Sequence, residues 1–110
     1  MAKNFGGYGG GNMQALMRQA QKLQEDMQRA QAQLAETEFE GEAGGDLVKV
    51  TMKGDKTLVG INIKPEAVDP DDIEMLEDLL VAAFNECAEK IADETERVMG
   101  PYAGMLGGLM

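Results

Sequence analysis

Three basic residues on the first predicted helix have the chemistry and the spacing of a phosphate-binding surface. Arg18, Lys22 and Arg29 point within about 40° of one another when successive helical residues turn by about 100°. We call these three side chains the basic stripe. Guanidinium and ammonium groups attract phosphate oxygens, so the basic stripe is the part of the sequence best suited to contact a polyanion.

The same residues also fit an ordinary solvated helix face. Lys22 can form an ion pair with Asp26. Glu25 stands three residues after Lys22 and four before Arg29, within reach of both. Such pairs contribute only a few tenths of a kcal/mol, so they would not keep the basic side chains from a phosphate. The pattern alone leaves both interpretations open.

The residue types that most enzymes need are missing or have a structural explanation. The sequence has no His, which excludes a Ser-His-Asp triad, a Cys-His pair and a histidine metal site. Cys87 falls on the apolar face of the second predicted helix, where we expect a structural thiol. Asp69, Asp71 and Asp72 fit the start of that helix. We therefore expect no catalytic residue and no metal site.

The charge of the chain is divided unevenly along its length. The 110 residues carry a net charge of −10. Residues 1–35 hold four basic and two acidic side chains, whereas residues 36–110 hold six basic and eighteen acidic ones. The overall acidity argues against general polyanion binding but is compatible with a local basic site. Any nucleic-acid contact should therefore lie in the first third of the chain.

Length and composition indicate the broad class of protein. The length fits one domain, and the single Cys excludes an internal disulfide. No apolar stretch approaches the roughly 20 residues that span a membrane. Residues 1–12 also lack the apolar run of a secretory signal. We expect a cytoplasmic protein that does not contact membranes.

The basic stripe lies on a helix predicted from apolar residues at alternating spacings of three and four. This helix should run from about Met13 to Ala35, with Asn12 as its N-cap. The Gly-rich residues 1–12 cannot bury themselves, so we expect them to be flexible. We number this predicted first helix, from about Met13 to Ala35, α1. Its apolar face, which we call the α1 seam, consists of Met13, Leu16, Ala20, Leu23, Met27, Ala30 and Leu34.

Three short strands are predicted after this helix, because the apolar period changes to two. Two-residue turns at Gly44-Gly45 and Gly54-Asp55 would connect them. These turns would place Phe39 opposite Val50, and Val50 opposite Val59, on one apolar face. We predict a three-stranded antiparallel β-meander.

The other face of the predicted sheet is charged. The same turns would place Glu40 opposite Lys49, and Glu36 opposite Lys53. We therefore interpret Lys49 and Lys53 as cross-strand ion-pair partners rather than as phosphate contacts.

A second long helix is predicted between Asp69 and Gly100. Asp69 would be its N-cap with Pro70 at the first helical position, and Gly100-Pro101 would end it. We expect a domain over residues 13–99 and a flexible tail over residues 100–110. A helix of this length spans about 45 Å and the strands only about 25 Å, so both helices should extend beyond the sheet. A second copy of the chain is the simplest cover for their exposed apolar faces.

Three sequence strings occur in an order that resembles a known family. GNMQALMRQAQKLQEDMQ, EGEAGGDLVKVTMKGD and DIEMLEDLLVAAFNECAEKI lie on the first helix, the strands and the second helix. Together they closely resemble the YbaB/EbfC family of bacterial nucleoid-associated DNA-binding proteins over about residues 11–100. The resemblance implies an α+β fold and a tweezer-like homodimer that binds duplex DNA and alters its conformation without a cofactor. It also implies roles in nucleoid organisation, gene regulation or DNA protection.

Residue roles follow from combining the pattern with the resemblance. DNA contact falls on Arg18, Lys22 and Arg29, and six such groups per dimer predict salt-sensitive binding with little sequence specificity. Lys3, Lys90 and Arg97 are additional candidates. The core or the dimer contact is assigned to Leu16, Leu23, Met27, Val48, Val50, Leu76, Leu80 and Phe84.

An alternative function comes from the acidic remainder of the chain. A dimer with an acidic body could act mainly as a protein-interaction module for replication or recombination proteins, with incidental DNA binding. Loss of DNA binding when the basic stripe is changed to Glu would favour the first interpretation over this one.

Overall fold

The computed structural model describes residues 2–109 of the chain and the side chains of residues 12–104. Its element order confirms the predicted α+β fold of two long helices around a three-stranded antiparallel meander. The elements are helix α1 (Ala2–Glu36), strands β1 (Glu38–Ala43), β2 (Val48–Lys53) and β3 (Leu58–Ile63), a 3-10 turn (Pro65–Ala67) and helix α2 (Ile73–Leu109).

The register of both hairpins differs from the predicted one by two residues. Phe39 pairs with Met52, and Val50 pairs with Ile61, so the predicted partners were wrong. The reason is that each loop holds four residues, 44–47 and 54–57, instead of two. A two-residue shift leaves side chains on their predicted faces, because the side-chain period of a strand is two. Leu58 is the exception, since a β-bulge between Thr51 and Met52 pairs it with Met52 on the apolar face. The apolar and charged faces are therefore as expected.

The charged face of the sheet keeps the predicted role of Lys49. Its ammonium group lies 3.5 Å from a Glu42 oxygen and 3.8 Å from a Glu40 oxygen. Lys53 stands opposite Glu38 rather than Glu36, because Glu36 still belongs to α1. Among the described side chains Lys53 forms no ion pair, so the predicted cross-strand pair of Lys53 was wrong. Lys49 is thus held by carboxylates, as the cross-strand interpretation required.

The helix bounds differ from the predicted ones. Helix α1 begins at Ala2 rather than Met13, so Asn12 lies within it, and α2 continues through Pro101 to Leu109. Each residue added to an existing helix gains a hydrogen bond. A glycine costs about 1 kcal/mol of helix stability relative to alanine, which weakens the extension of a helix without preventing it. The side chains of residues 1–11 and 105–110 lie outside those described, and the flexibility of both end segments stays a prediction.

Asp72, rather than Asp69, caps α2. The Asp72 carboxylate accepts a hydrogen bond of 3.2 Å from the amide of Met75, three residues on, as an N-cap does. Asp69 accepts the amide of Asp71 at 2.9 Å and so closes a turn before the helix. The predicted cap was wrong because both residues suit a helix start and only the chain path after Pro70 distinguishes them.

The core lies between α2 and the apolar face of β1 and β2. Helix α2 approaches so closely that a Cβ atom on Gly41 would lie 2.1 Å from the Ala83 carbonyl oxygen and 2.5 Å from the Cys87 nitrogen. The Cys87 thiol is buried and donates a hydrogen bond of 3.2 Å to the Phe39 carbonyl oxygen. The buried apolar residues are Ala43, Val48, Val50, Met52, Ala67, Ala83, Cys87 and Ile91.

Both long helices leave the sheet at the same end. Leu79 of α2 contacts Gly44, at the end of the sheet where the β1–β2 loop lies, and Cys87 is farther along β1. Beyond them, Glu94 and Val98 share a pocket with Leu34 of α1. This arrangement gives dimensions of 86 × 20 × 16 Å and a radius of gyration of 23.1 Å, against about 13 Å for a compact domain of this length.

Candidate nucleic-acid interface

All three residues of the basic stripe lie on the exposed side of α1. Arg29 is 68% exposed and its guanidinium lies 3.7 Å from an Asp26 oxygen, an ion pair between residues i and i+3. The sequence allowed an ion pair between Asp26 and Lys22. In the structure Asp26 pairs with Arg29 instead. Neither Arg18 nor Lys22 forms an ion pair with a residue whose side chain is described. Their charges are available to an external anion.

The stripe and the α1 seam occupy opposite sides of the helix. Seam residues Leu23, Met27, Ala30 and Leu34 are half-buried, and α1 packs weakly against α2. The stripe side of the helix consequently faces solvent. At a rise of about 1.5 Å per residue, the stripe extends over roughly 16 Å of helix.

The stripe is separated from the acidic body by the length of α1. Arg18 lies about 27 Å along the helix axis from Glu36, and Arg29 about 10 Å. Charges farther apart than about 8 Å are largely screened at physiological ionic strength. The carboxylates of the sheet and of α2 therefore weaken the field at Arg18 far less than the net charge of the chain implies.

Two basic residues of α2 are held by carboxylates. The Lys90 ammonium lies 3.3 Å from a Glu86 oxygen and donates a hydrogen bond of 2.8 Å to the Glu40 carbonyl oxygen. Arg97 is paired with Glu94. Both were additional candidates from the sequence, and both are already engaged by neighbouring groups.

Lys64 and Asp46 form a clasp between the end of β3 and the β1–β2 loop. The Lys64 ammonium donates a hydrogen bond of 2.5 Å to the Asp46 carboxylate. This bond lowers the pKa of the Asp46 carboxyl and raises the pKa of Lys64. The Lys64 ammonium is therefore already paired with a carboxylate of the same chain.

The predicted core or dimer residues divide into two groups. Val48 and Val50 are buried, while Leu76 and Leu80 are half-buried against the core. Leu23 and Met27, in the part of the α1 seam near α2, are half-buried as well. Leu16 is 62% exposed and Phe84 is 46% exposed, so neither belongs to the core of a single chain.

An exposed apolar surface on β3 escaped the sequence analysis. Ile61 and Ile63 pair with Val50 and Val48 and so share the core face of the sheet, yet both are exposed. Helix α2 covers β1 and β2 but makes no comparable contact with β3. Apolar alternation predicts which face these residues occupy, but it carries no information on how far a helix covers that face.

Over the part of the chain that the structure describes, neither long helix contains a segment apolar enough to cross a lipid bilayer.

Comparison with known proteins gives close relatives over most of the chain. The family model described as the YbaB/EbfC DNA-binding family matches residues 9–106. A nucleoid-associated protein of Clostridium botulinum is 55% identical over 105 residues, which cover 94% of this chain and 93% of that protein. A nucleoid-associated protein of Lactobacillus johnsonii is 48% identical over 99 residues, covering 90% of this chain and 91% of that protein.

A solved structure has the same fold. The crystal structure of an uncharacterized protein from Helicobacter pylori matches with a TM-score of 0.66 and 17% sequence identity, over 80% of this chain and 92% of that one. Since the family match covers nearly all of both helices and the whole sheet, this chain belongs to the YbaB/EbfC DNA-binding family.

Proposed function

We propose that this protein binds duplex DNA as a homodimer, with little sequence specificity, and alters the conformation of the DNA. Arg18, Lys22 and Arg29 of each chain contact the phosphate backbone. The observation that carries the proposal is the exposed basic stripe on a helix that extends beyond an acidic body. Phosphate contacts position a protein on DNA without reading its sequence, which accounts for the low specificity.

The exposed apolar residues of the body support the homodimer. Val81 is 59% exposed and Phe84 46% exposed on α2, and the core-face residues Ile61 and Ile63 of β3 are also exposed. β3 is an edge strand of the sheet. Apolar side chains at an edge strand mark a surface that pairs with another chain. A second copy that covers this surface would leave the arms of both chains in solvent.

The relatives suggest where the binding takes place. The Clostridium and Lactobacillus proteins are named as nucleoid-associated. We extend this location to the present protein, with roles in nucleoid organisation, gene regulation or protection of DNA. Backbone contacts that tolerate any sequence suit a protein distributed along the chromosome.

A charge-reversal experiment tests the proposal. The variant R18E/K22E/R29E should lose binding to a labelled duplex in a gel shift, while its circular dichroism and sedimentation stay those of wild type. The matched control K53E/K56E/K90E changes the charge equally but on the body of the molecule. It should bind DNA far better than the stripe variant, because screening limits the effect of distant charges.

Two results would contradict the proposal. If the stripe variant folds and binds DNA like wild type, the basic stripe is not the DNA contact. Wild-type protein that fails to shift the duplex even at low salt would contradict DNA binding itself.

A further inference from the structure

The apolar seam of α1 continues beyond the region that α2 covers. Val98 of α2 shares a pocket with Leu34 of α1, and the two helices run antiparallel from this contact. With both helices rising by about 1.5 Å per residue, Leu109 comes level with roughly residue 21 of α1. The exposure of α1 changes at the same level, since residues 12–22 are all exposed and half-burial begins just after them.

The spacing of the seam does not change where its cover ends. Seam residues follow one another at intervals of three and four along the helix, which is the a and d pattern of a coiled coil. In the uncovered part this pattern aligns Met13, Leu16 and Ala20, with Met17 beside them. We call these four residues the apolar tip. Met13 is 63% exposed, Leu16 62% and Met17 67%, although their spacing suits a partner helix.

The charge pattern of the tip suits a second copy of the same helix as that partner. The polar residues that flank the seam here, Asn12, Gln19 and Gln24, are all neutral. Arg18 lies about 160° around the helix from Leu16. In two helices packed seam to seam at about 8–10 Å, the basic stripes would lie on the outer sides, about 20 Å apart. This distance exceeds the screening length of about 8 Å, so the like charges do not prevent the contact.

Residue sizes fit an antiparallel pair of tips. Two arms that meet end to end overlap with their helices antiparallel. In an overlap that places Leu16 of one chain opposite Ala20 of the other, Met13 stands opposite Leu23. The larger Leu16 then fills the space beside the small Ala20, so the overlap leaves no void.

We infer that the apolar tips of two molecules pair with each other and link homodimers into open chains. Leu16 lies about 27 Å along α1 from Leu34, and Phe84 lies about 21 Å along α2 from Val98. The tip is therefore more than about 40 Å from the exposed apolar residues of the body. Two separate contacts with copies of the same chain propagate as an open assembly. The inference rests on the proposed homodimer for the body contact, but not on DNA binding.

Sedimentation over a range of protein concentrations tests chain formation without DNA. Because the tip is short, wild-type protein should form species larger than two chains only as its concentration rises. The variant M13Q/L16Q/M17Q keeps residues of similar helix propensity, removes most of the apolar surface and should stay at two chains. The control Q14A/Q21A/Q28A changes exposed residues about 120–160° around the helix from Leu16 and should associate like wild type.

A disulfide experiment detects the tip contact directly. L16C and A20C proteins are mixed with oxidised glutathione, which takes up the two electrons and is released as two reduced molecules when the introduced thiols join. These thiols should link several times faster than those in a mixture of Q14C with A20C, because Gln14 lies about 160° from Leu16. The native Cys87 is buried, so its thiol does not compete.

The outcomes separate the tip contact from the proposed homodimer. Wild-type protein that never exceeds two chains overturns the inference, as do equal rates of linkage in the two mixtures. Linkage of L16C to A20C confined to species of two chains assigns the tips to closure within one homodimer, which also overturns it.

The body variant V81D/F84D serves as the second comparison. It should sediment as single chains at low concentration and as tip-linked pairs at high concentration, which supports the tip contact. Larger species in this variant, as in wild type, would contradict the proposed body contact instead. Single chains at every concentration would overturn the tip contact.

Discussion

At the scale of single residues, Gly41 and Cys87 join β1 to α2 through contacts that leave no room for a side chain on the strand. The missing Cβ of Gly41 lets the backbone of α2 approach the sheet, and the Cys87 thiol bonds to the neighbouring carbonyl of Phe39. The only cysteine of the chain is therefore part of the packing. This contact fixes the position of α2 on the sheet, and α2 in turn supports α1.

Replacement of Gly41 tests this contact. G41A should lower the free energy of unfolding by about 3 kcal/mol, because the added methyl group meets backbone atoms that cannot move aside. Urea denaturation at fixed protein concentration measures the change. G60A is the matched control, since a Cβ there meets nothing within 4 Å and should change the stability by less than about 0.5 kcal/mol. Equal stability of the two variants would contradict the close approach.

The Asp46–Lys64 clasp predicts a pH dependence. Because the pKa of Asp46 is lowered in the folded state, its contribution to stability is present above the unfolded pKa and is lost as pH falls through the folded pKa. D46N should therefore be slightly less stable than wild type at neutral pH, and this difference should vanish in acid below the folded pKa. Denaturation curves at a series of pH values measure it. A difference that persists in acid would assign the effect to packing.

At the scale of elements, hairpin loops and helix ends decide where side chains stand. Gly44 and Gly45 have φ angles of 65° and 77°, so the β1–β2 loop has left-handed backbone at two successive positions. Gly54 accommodates the end of α1, since a Cβ there would lie 1.9 Å from the Leu34 carbonyl oxygen. Its amide donates a hydrogen bond of 2.9 Å to the Thr37 carbonyl oxygen. These contacts fix the root of α1 beside the sheet.

The N-terminus of α2 gives a prediction at this scale. D72A should cost about 1 kcal/mol of stability, because the Met75 amide loses its acceptor in the first turn. D69A removes only the bond to Asp71 in the preceding turn and should cost less. Chemical denaturation of both variants, with D72N as a control that keeps a capping oxygen, measures the order. A larger loss of stability in D69A than in D72A would show that Asp69 is the cap.

At the scale of the whole molecule, length separates charges of opposite sign. The chain extends over 86 Å, and the basic stripe lies on the part of α1 that extends beyond the acidic body. A compact fold of the same sequence, with a radius of gyration of about 13 Å, would bring these charges closer together, where screening weakens their interaction less. The elongated shape therefore allows an acidic protein to carry an exposed basic surface.

This separation predicts the salt dependence of DNA binding. The proposed dimer, with six stripe residues, can neutralise at most about six phosphates, so the slope of log K against log salt should be near −5. The neutral stripe variant R18Q/K22Q/R29Q should bring the slope toward zero. Anisotropy titrations across a range of salt concentrations measure both. A wild-type slope well beyond −5 would mean that other basic residues also contact DNA.

The exposed apolar residues of α2 predict the effect of new charges on assembly. V81D/F84D should convert the proposed dimer to monomers in analytical ultracentrifugation, because carboxylates at a buried contact would be desolvated without partners. A82D adds a carboxylate at an exposed position about 100° around the same helix from Val81 and should leave the proposed dimer intact. A V81D/F84D variant that stays dimeric would place the contact elsewhere.

Contact of the acidic body with replication or recombination proteins stays a prediction.

The sequence alone determined features that depend on short-range periodicity. The alignment of Arg18, Lys22 and Arg29 follows from the helical period, and the two faces of the sheet follow from a strand period of two. Neither depends on the exact partner of a residue, so both were predictable even though the hairpin register was shifted by two. The charge difference between the two parts of the chain is likewise a property of the sequence.

Only the tertiary structure decided which of these surfaces are covered. Burial of Cys87 against Gly41, exposure of Ile61 on the core face and exposure of Met17 on α1 all depend on where α2 lies and where it ends. The choice of Asp72 over Asp69 as the cap depends on the chain path between β3 and α2. Local periodicity assigns a residue to a face, whereas contacts between segments distant in sequence determine what packs against that face.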